Sequence, residues 1–200
     1  MIKWLGHATV RIDAQNLVIF FDPYDIKERV KADLVLISHD HFDHCSLDDL
    51  RKVSAKRTHL VGPPVQKVQS VLRRVTNHVH SINAGEEIEV LGVKIKAVPA
   101  YNIDKPFHPK SAGGIGYVIE VEGKKIYFAG DTDLIPEMKA LKKLNIDVAL
   151  LPVGGVYTMN VEEAARAFKM IGAKEGIPIH YGTIIGTGTD GEQFKRLIAT

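Results

Sequence analysis

Apolar residues in this chain fall mostly into short, sharply bounded runs, and the spacing within each run separates strands from helices. Near the N-terminus, residues 3–5, 9–12 and 18–21 are rich in β-branched and aromatic side chains, with a turn around 14–16 joining the last two. Residues 34–37 are continuously apolar and stop at Ser38, the pattern of a strand buried on both faces. Two hairpins are expected further on, one pairing 88–91 with 93–98 about Gly92, the other pairing 116–121 with 125–129 about Glu122 and Gly123. Residues 148–151 and a short run ending at Ile179 read as further strands.

Helical spacing takes over between these runs. Ser46 is placed to cap a helix whose first turn carries Asp48 and Asp49, where negative charge meets the positive end of the helix dipole. After Pro64, the residues Val65, Val68, Leu72 and Val75 recur on one face, with Gln66, Lys67, Arg73 and Arg74 outside. Residues 136–144 are expected to be helical. Asn160 with Glu163 makes a capping box ahead of an inner stripe of Val161, Ala164, Ala165, Phe168 and Ile171, and a last helix is expected to be capped near Asp190. There are enough strands for two sheets, and the amphipathic helices would cover their outer faces. The expectation is an α/β chain forming one domain over residues 1–200.

Composition narrows the function classes without choosing one. Net charge is only +2, from 26 basic and 24 acidic residues, so nucleic acid and anionic membrane gain no electrostatic support. The N-terminus lacks the apolar core of a signal peptide, and no apolar run approaches the ~20 residues that span a bilayer. The single cysteine, Cys45, fits a reducing compartment, so a cytoplasmic location is expected.

Chemistry concentrates just after the 34–37 run, in ISHDHFDHCS. His39, His41, Asp43 and His44 follow the spacing His-x-His-x-Asp-His. Residues two apart on an extended segment point to the same side, so His39 and His41 can grip one ion. Asp43 and His44 then present a carboxylate and an imidazole to a second position. Nitrogen and oxygen donors without thiolate suit Zn²⁺ first, with Mn²⁺ or Fe²⁺ as alternatives, and disfavour a closed structural zinc site. Four donors do not complete two coordination shells. Asp131 in IYFAGDTD and His180 in GIPIHYGT emerge at strand ends, and Asp131 is suited to bridge two cations. His7 in LGHATV is either a proton donor at the pocket or a hydrogen-bonded edge residue. His78 and His80 share one side of a strand, but nothing else converges on them. Cys45 reads as a buried, inert thiol.

With these residues in order along the chain, the sequence resembles the metallo-β-lactamase superfamily. Asp22 in IFFDPY matches its first motif, the histidine-rich loop its second, Asp131 in AGDT its fourth and His180 its fifth. The segments WLGHATVRI, LLPVGGVYTMNVEEAARA and IPIHYGT resemble a branch of small hydrolases related to ascorbate-phosphate lactonases. The resemblance implies a four-layer αββα sandwich of two mixed sheets covered by helices, with a one- or two-metal site on one edge. It implies that His39 and His41 hold one metal, that Asp43, His44 and His180 hold the other, and that Asp131 bridges. The third motif departs from the family pattern. Tyr101 and Asn102 stand where a histidine is usual, and His108 follows six residues after Asn102 on a Pro-flanked loop. His108 is the candidate third ligand, with Asn102 and a substrate-contacting role for His108 as the alternatives.

The expected function is a metal-dependent hydrolase that uses one or two divalent ions to activate water. The expected substrate is an ester, lactone or phosphoester of a small molecule. Asp43 and His7 are the candidate catalytic residues, and Asp22 and Ser38 are candidate partners for ligating imidazoles. Lys105 and Lys110 flank His108 and offer attraction for an anionic substrate. The alternatives are an RNA or DNA phosphodiesterase of the same fold, disfavoured by the near-neutral charge, and a non-catalytic metal-binding or sensor protein. A redox di-iron site is disfavoured by His41, where such relatives typically carry Glu.

Overall fold

A computed structural model describes residues 1–199 of the chain. Twelve strands among them form two six-stranded sheets. The first sheet runs in the order β1 (Ile2–Gly6), β2 (Thr9–Asp13), β3 (Val18–Phe21), β4 (Leu34–Leu36), β5 (His59–Gly62) and β6 (Val79–Ser81). Its first three strands are antiparallel, and β3 through β6 are parallel. The second sheet contains β7 (Glu87–Val90), β8 (Val93–Pro99), β9 (Ile115–Val121), β10 (Lys124–Phe128), β11 (Val148–Pro152) and β12 (Glu175–Ile179), in the spatial order β12-β11-β10-β9-β8-β7. There β7 to β10 are antiparallel, and β10, β11 and β12 are parallel.

The two-residue period of a strand sorts the apolar side chains into three layers. Ile19, Phe21, Leu34 and Leu36 point between the sheets, where they meet Ile126, Phe128, Val148 and Leu150. Phe20, Val35 and Ile37 point the other way, beneath α1 (Leu47–Val53) and α2 (Gln66–Leu72). Tyr127, Ala149 and Leu151 likewise pack under α3 (Val161–Ile171) and α4 (Asp190–Ile198). Two covered faces explain why 34–37 reads as an unbroken apolar run. The architecture is the αββα sandwich with two mixed sheets. Among the described residues, no helix is long and apolar enough to cross a membrane.

Two local expectations are corrected. Residues Pro136–Leu144 form 3-10 turns, not an α-helix. Ile135, Met138, Leu141 and Leu144 are spaced by three, which matches the three residues per turn of a 3-10 helix, and Met138 N–H bonds to Ile135 O at 3.2 Å. Strand β5 was not expected, since HLVG is too short to show a period; it forms because Leu60 and Val61 pair with β4.

The rings of Phe21 and Phe128 stack across the sheets, 4.6 Å between centroids and 15° apart, with no exposure to solvent. Phe21→Ala is expected to cost about 3–5 kcal/mol. Urea unfolding checks this, as a lower midpoint at unchanged slope.

Candidate metal centre

The parallel strands release their carboxyl ends along one edge of the sandwich, and the chemistry gathers there. Asp22 follows β3, Ser38 and His39 follow β4, Asp131 follows β10 and His180 follows β12, while His7 occupies the β1–β2 turn. His7 at φ 47°, Asp22 at 40° and His180 at 59° leave their strands in left-handed backbone, a conformation His108 also adopts, at 53°, on its loop. Such conformations cost non-glycine residues of order 1 kcal/mol and gather at functional sites. Gly130 serves Asp131 in the same way. Its φ is 64°, and an added Cβ would lie 3.1 Å from the Ser38 Cβ.

All seven candidate ligands converge. His39, His41 and His108 place one nitrogen each within 4.8 Å of one another, and a second group does the same with His7, Asp43, His44 and His180. Asp131 lies between the groups. Its Oδ2 is 3.3 Å from His108 Nε2, 3.1 Å from His180 Nε2 and 4.0 Å from His39 Nε2, and its Oδ1 is 3.4 Å from His44 Nε2. The structure brings His108 to the group of His39 and His41, its Nε2 2.9 Å from His41 Nδ1. Asn102 Nδ2 donates to Phe107 O at 2.9 Å and Tyr157 O at 2.7 Å and lies 3.3 Å from His108 Nδ1, shaping the loop that carries His108.

The polar accounting points to a cation. His39 Nε2, His44 Nε2, His180 Nε2 and Asp131 Oδ1 are buried without a hydrogen-bond partner. Buried polar atoms are normally satisfied, so several facing one space call for a shared ligand. The far sides of three of the rings are held, while His180 Nδ1 has no hydrogen-bond partner. His44 Nδ1 donates to Asp22 Oδ2 at 2.7 Å, His39 Nδ1 meets Ser38 Oγ at 2.9 Å, and Ser38 Oγ donates in turn to Asp22. His108 Nδ1 lies 3.1 Å from Tyr157 O. Partners on Nδ1 leave Nε2 free as a donor atom, the usual arrangement around metal-ligating histidines.

Charge agrees with geometry. Burial and the neighbouring His44 push His39 well below the ordinary histidine range, into the neutral form that ligates. Burial opposes a charge on Asp131, yet His180 and His44 hold its carboxyl well below the usual carboxylate range. Burial also opposes a cationic His44, but Asp131 and Asp22 outweigh it and raise its pKa well above 6.5. These carboxylates favour positive charge at His44 Nε2, which a cation, when bound, would supply. Residues and group fit.

His7 stands beside the cluster, its Nε2 2.7 Å from Asp43 Oδ2 and its Nδ1 3.4 Å from Thr183 Oγ1. Phe42, Phe107 and Ile184 line the cleft with Tyr157 and were not singled out by sequence; their signal is large apolar residues set in polar, glycine- and proline-rich loops. The lysines flanking His108 are engaged within the protein. Lys105 pairs with Asp133 and bonds to Thr158 O at 2.9 Å, while Lys110 pairs with Glu137 at 2.9 Å. His59, His78 and His80 stack on one another away from the centre. Cys45 is buried, and burial pushes its thiol up to about 12. The folded protein is expected to resist a thiol reagent at pH 8 and to react once denatured, as a colorimetric thiol assay would show.

Comparison with known proteins agrees with this arrangement. The model of the β-lactamase superfamily domain matches residues 1–180. A UPF0173 metal-dependent hydrolase of Thermoplasma acidophilum is 36% identical, with 100% of this chain and 91% of the relative covered. Another from Methanopyrus kandleri is 38% identical, covering 98% and 90%. Among solved structures, a metallo hydrolase from Ignicoccus hospitalis superposes with a TM-score of 0.82 at 26% identity, over 99% of this chain and 89% of that one. On its sequence, its sandwich and its histidine-aspartate edge together, the chain belongs to the metallo-β-lactamase superfamily and is a metal-dependent hydrolase.

Proposed function

We propose that the protein hydrolyses an ester, lactone or phosphoester of a small molecule with two divalent cations, zinc first among them. The observation that supports this most strongly is the set of partnerless, buried donor atoms on His39, His44, His180 and Asp131, the three imidazole nitrogens lying 3.1–4.0 Å from the Asp131 carboxylate. His39, His41 and His108 would hold one ion, Asp43, His44 and His180 the second, with Asp131 shared. When bound, divalent ions lower the pKa of water from ~15.7 toward ~7 and polarise the oxygen under attack.

The chain's own groups handle the proton. Burial lowers the pKa of His7, so at neutral pH the ring is uncharged. Its contact with Asp43 places the proton on Nε2, donating to Oδ2. The hydrogen bond from His7 keeps Asp43 ionised against the opposing effect of burial. Asp43 accepts the proton that water loses as it adds to the acyl or phosphoryl centre. The bond to the alkoxy oxygen then breaks, and the proton passes to that oxygen as it leaves. The His7 backbone carbonyl accepts from Trp4 Nε1 at 2.7 Å and from His180 N at 2.6 Å, which fixes the ring's position.

The test is a panel of lactones, carboxylic esters and phosphodiesters assayed with zinc-loaded protein against Asp43→Ala. Turnover of at least one class, reduced in the variant by about 10²- to 10⁴-fold, is the expected result. Wild-type activity no higher than the variant's on every class would sink the reading for those substrates. His7→Asn should lower kcat by about 10²-fold or more while leaving the metal content unchanged. Metal loss in that variant would instead make His7 a ligand.

A further inference from the structure

Five of the large apolar side chains left exposed lie on the loops around the metal centre: Phe42, Ile103, Phe107, Val156 and Ile184. Phe42 is 68% exposed on the loop that carries the His-x-His-x-Asp-His motif itself. Phe42, Phe107 and Ile184 form, with Tyr157, the wall of a cleft of about 250 Å³, and Asp43, Asp131 and His180 lie in the same cleft. The wall is braced. Phe107 packs edge-on against Tyr157 with centroids 4.7 Å apart, and Phe42 against Tyr24 at 5.9 Å. Apolar groups gathered at one mouth mark a surface that something apolar covers.

Charge then restricts what that is. No lysine or arginine lines this cleft among the described residues. The cations nearest its rim are already paired: Lys105 with Asp133, Lys110 with Glu137 and Lys67 with Asp40. With cations bound, Asp43 and Asp131 would be neutralised, and the centre could take a charged or a neutral reacting group. An arm that itself carries negative charge would find no free positive side chain along this wall. The volume sits below the ~300–1,000 Å³ of sites that enclose drug-sized ligands, so it suits a small molecule or one short arm.

We infer that the substrate of this centre carries, beside its scissile group, a short uncharged alkyl or aryl arm that lies against Phe42, Phe107 and Ile184. This rests on the hydrolase reading above and narrows it to substrates whose arm is uncharged, since Lys105 and Lys110, which would attract a charged arm, are already paired.

Two readouts test the inference. In the first, zinc-loaded protein hydrolyses p-nitrophenyl acetate, butanoate and hexanoate and, as the charged comparison, p-nitrophenyl hydrogen succinate. The expected kcat/KM rises roughly fourfold per methylene until the cleft is full, and the succinate ester falls below the butanoate. In the second, N-methyl-, N-butyl- and N-hexylacetamide are titrated by calorimetry as unhydrolysed probes, with the same expected dependence on chain length. In Phe42→Ser and Ile184→Ser the dependence on length should flatten in both readouts. Amide affinity that ignores chain length, or that rises equally in both variants, overturns the inference whether or not any ester is hydrolysed. Preference for the succinate ester overturns it too. So does a wild-type dimer that dissociates in these variants by sedimentation, which would make the patch a contact between copies. Length-dependent amide binding without ester turnover would uphold the apolar arm and instead count against the hydrolytic reading for these esters.

Discussion

Asp131→Ala is expected to cut hydrolysis by at least about a thousandfold, roughly 4 kcal/mol of barrier, and to leave the purified protein short of metal. Among the described residues, no other carboxylate stands in the same relation to both histidine groups. Asp131 Oδ2 lies 3.3 Å from His108 and 3.1 Å from His180, and its Oδ1 lies 3.4 Å from His44. Removing it takes away the negative charge that favours a cation at that point, and with it the shared ligand between the groups. A cation moves the pKa of water by many units, so losing a thousandfold requires only part of that effect to vanish. Metal analysis beside kcat/KM reads the outcome, with circular dichroism confirming that the sandwich survives. A variant with wild-type metal content and turnover would remove Asp131 from the centre.

Asp22→Ala carries the second large effect, acting through both stability and metal affinity. Asp22 is wholly buried. Its Oδ1 accepts from Ser38 N at 2.8 Å, and its Oδ2 accepts from Ser38 Oγ and from His44 Nδ1 at 2.7 Å. The substitution leaves three buried donors without a partner, at roughly 1–3 kcal/mol each. It also frees the His44 and His39 rings to turn, and losing such a support costs metal-ligand sites about 10–100-fold in affinity. Urea unfolding and a zinc titration against a competing chelator measure the two parts separately. Stability and affinity both equal to wild type would show that the Asp22–Ser38–His44 network supports neither.

The strands that bracket the centre were legible because burial on two faces writes unbroken apolar runs such as 34–37 and 148–151, and the donors follow directly where those runs stop. His39, His41, Asp43 and His44 could be found from spacing alone, since backbone geometry ties i and i+2 to one side. His108 could be nominated but not placed. Its position depends on a loop whose turn is set by Asn102 bonding to a carbonyl within the loop and to the distant Tyr157 O, a tertiary arrangement that no local period encodes. The 3-10 turns after Ile135 had a readable three-residue spacing that a helical reading passed over. Lys105 and Lys110 were visible as charges, yet their partners Asp133 and Glu137 lie far along the chain, so their neutralisation appears only in the fold. The apolar wall shows the same limit: Phe42, Phe107 and Ile184 are unremarkable one at a time, and only the shared sheet edge brings them together.

On the proposed reading, the histidine-aspartate edge holds two cations in defined places. Crystals grown with zinc and measured on both sides of the zinc absorption edge test it most directly. Two anomalous peaks are expected, one enclosed by His39, His41 and His108, the other by Asp43, His44 and His180, with Asp131 between them. No peak at this edge, or a peak only on the stacked His59, His78 and His80, would contradict the account.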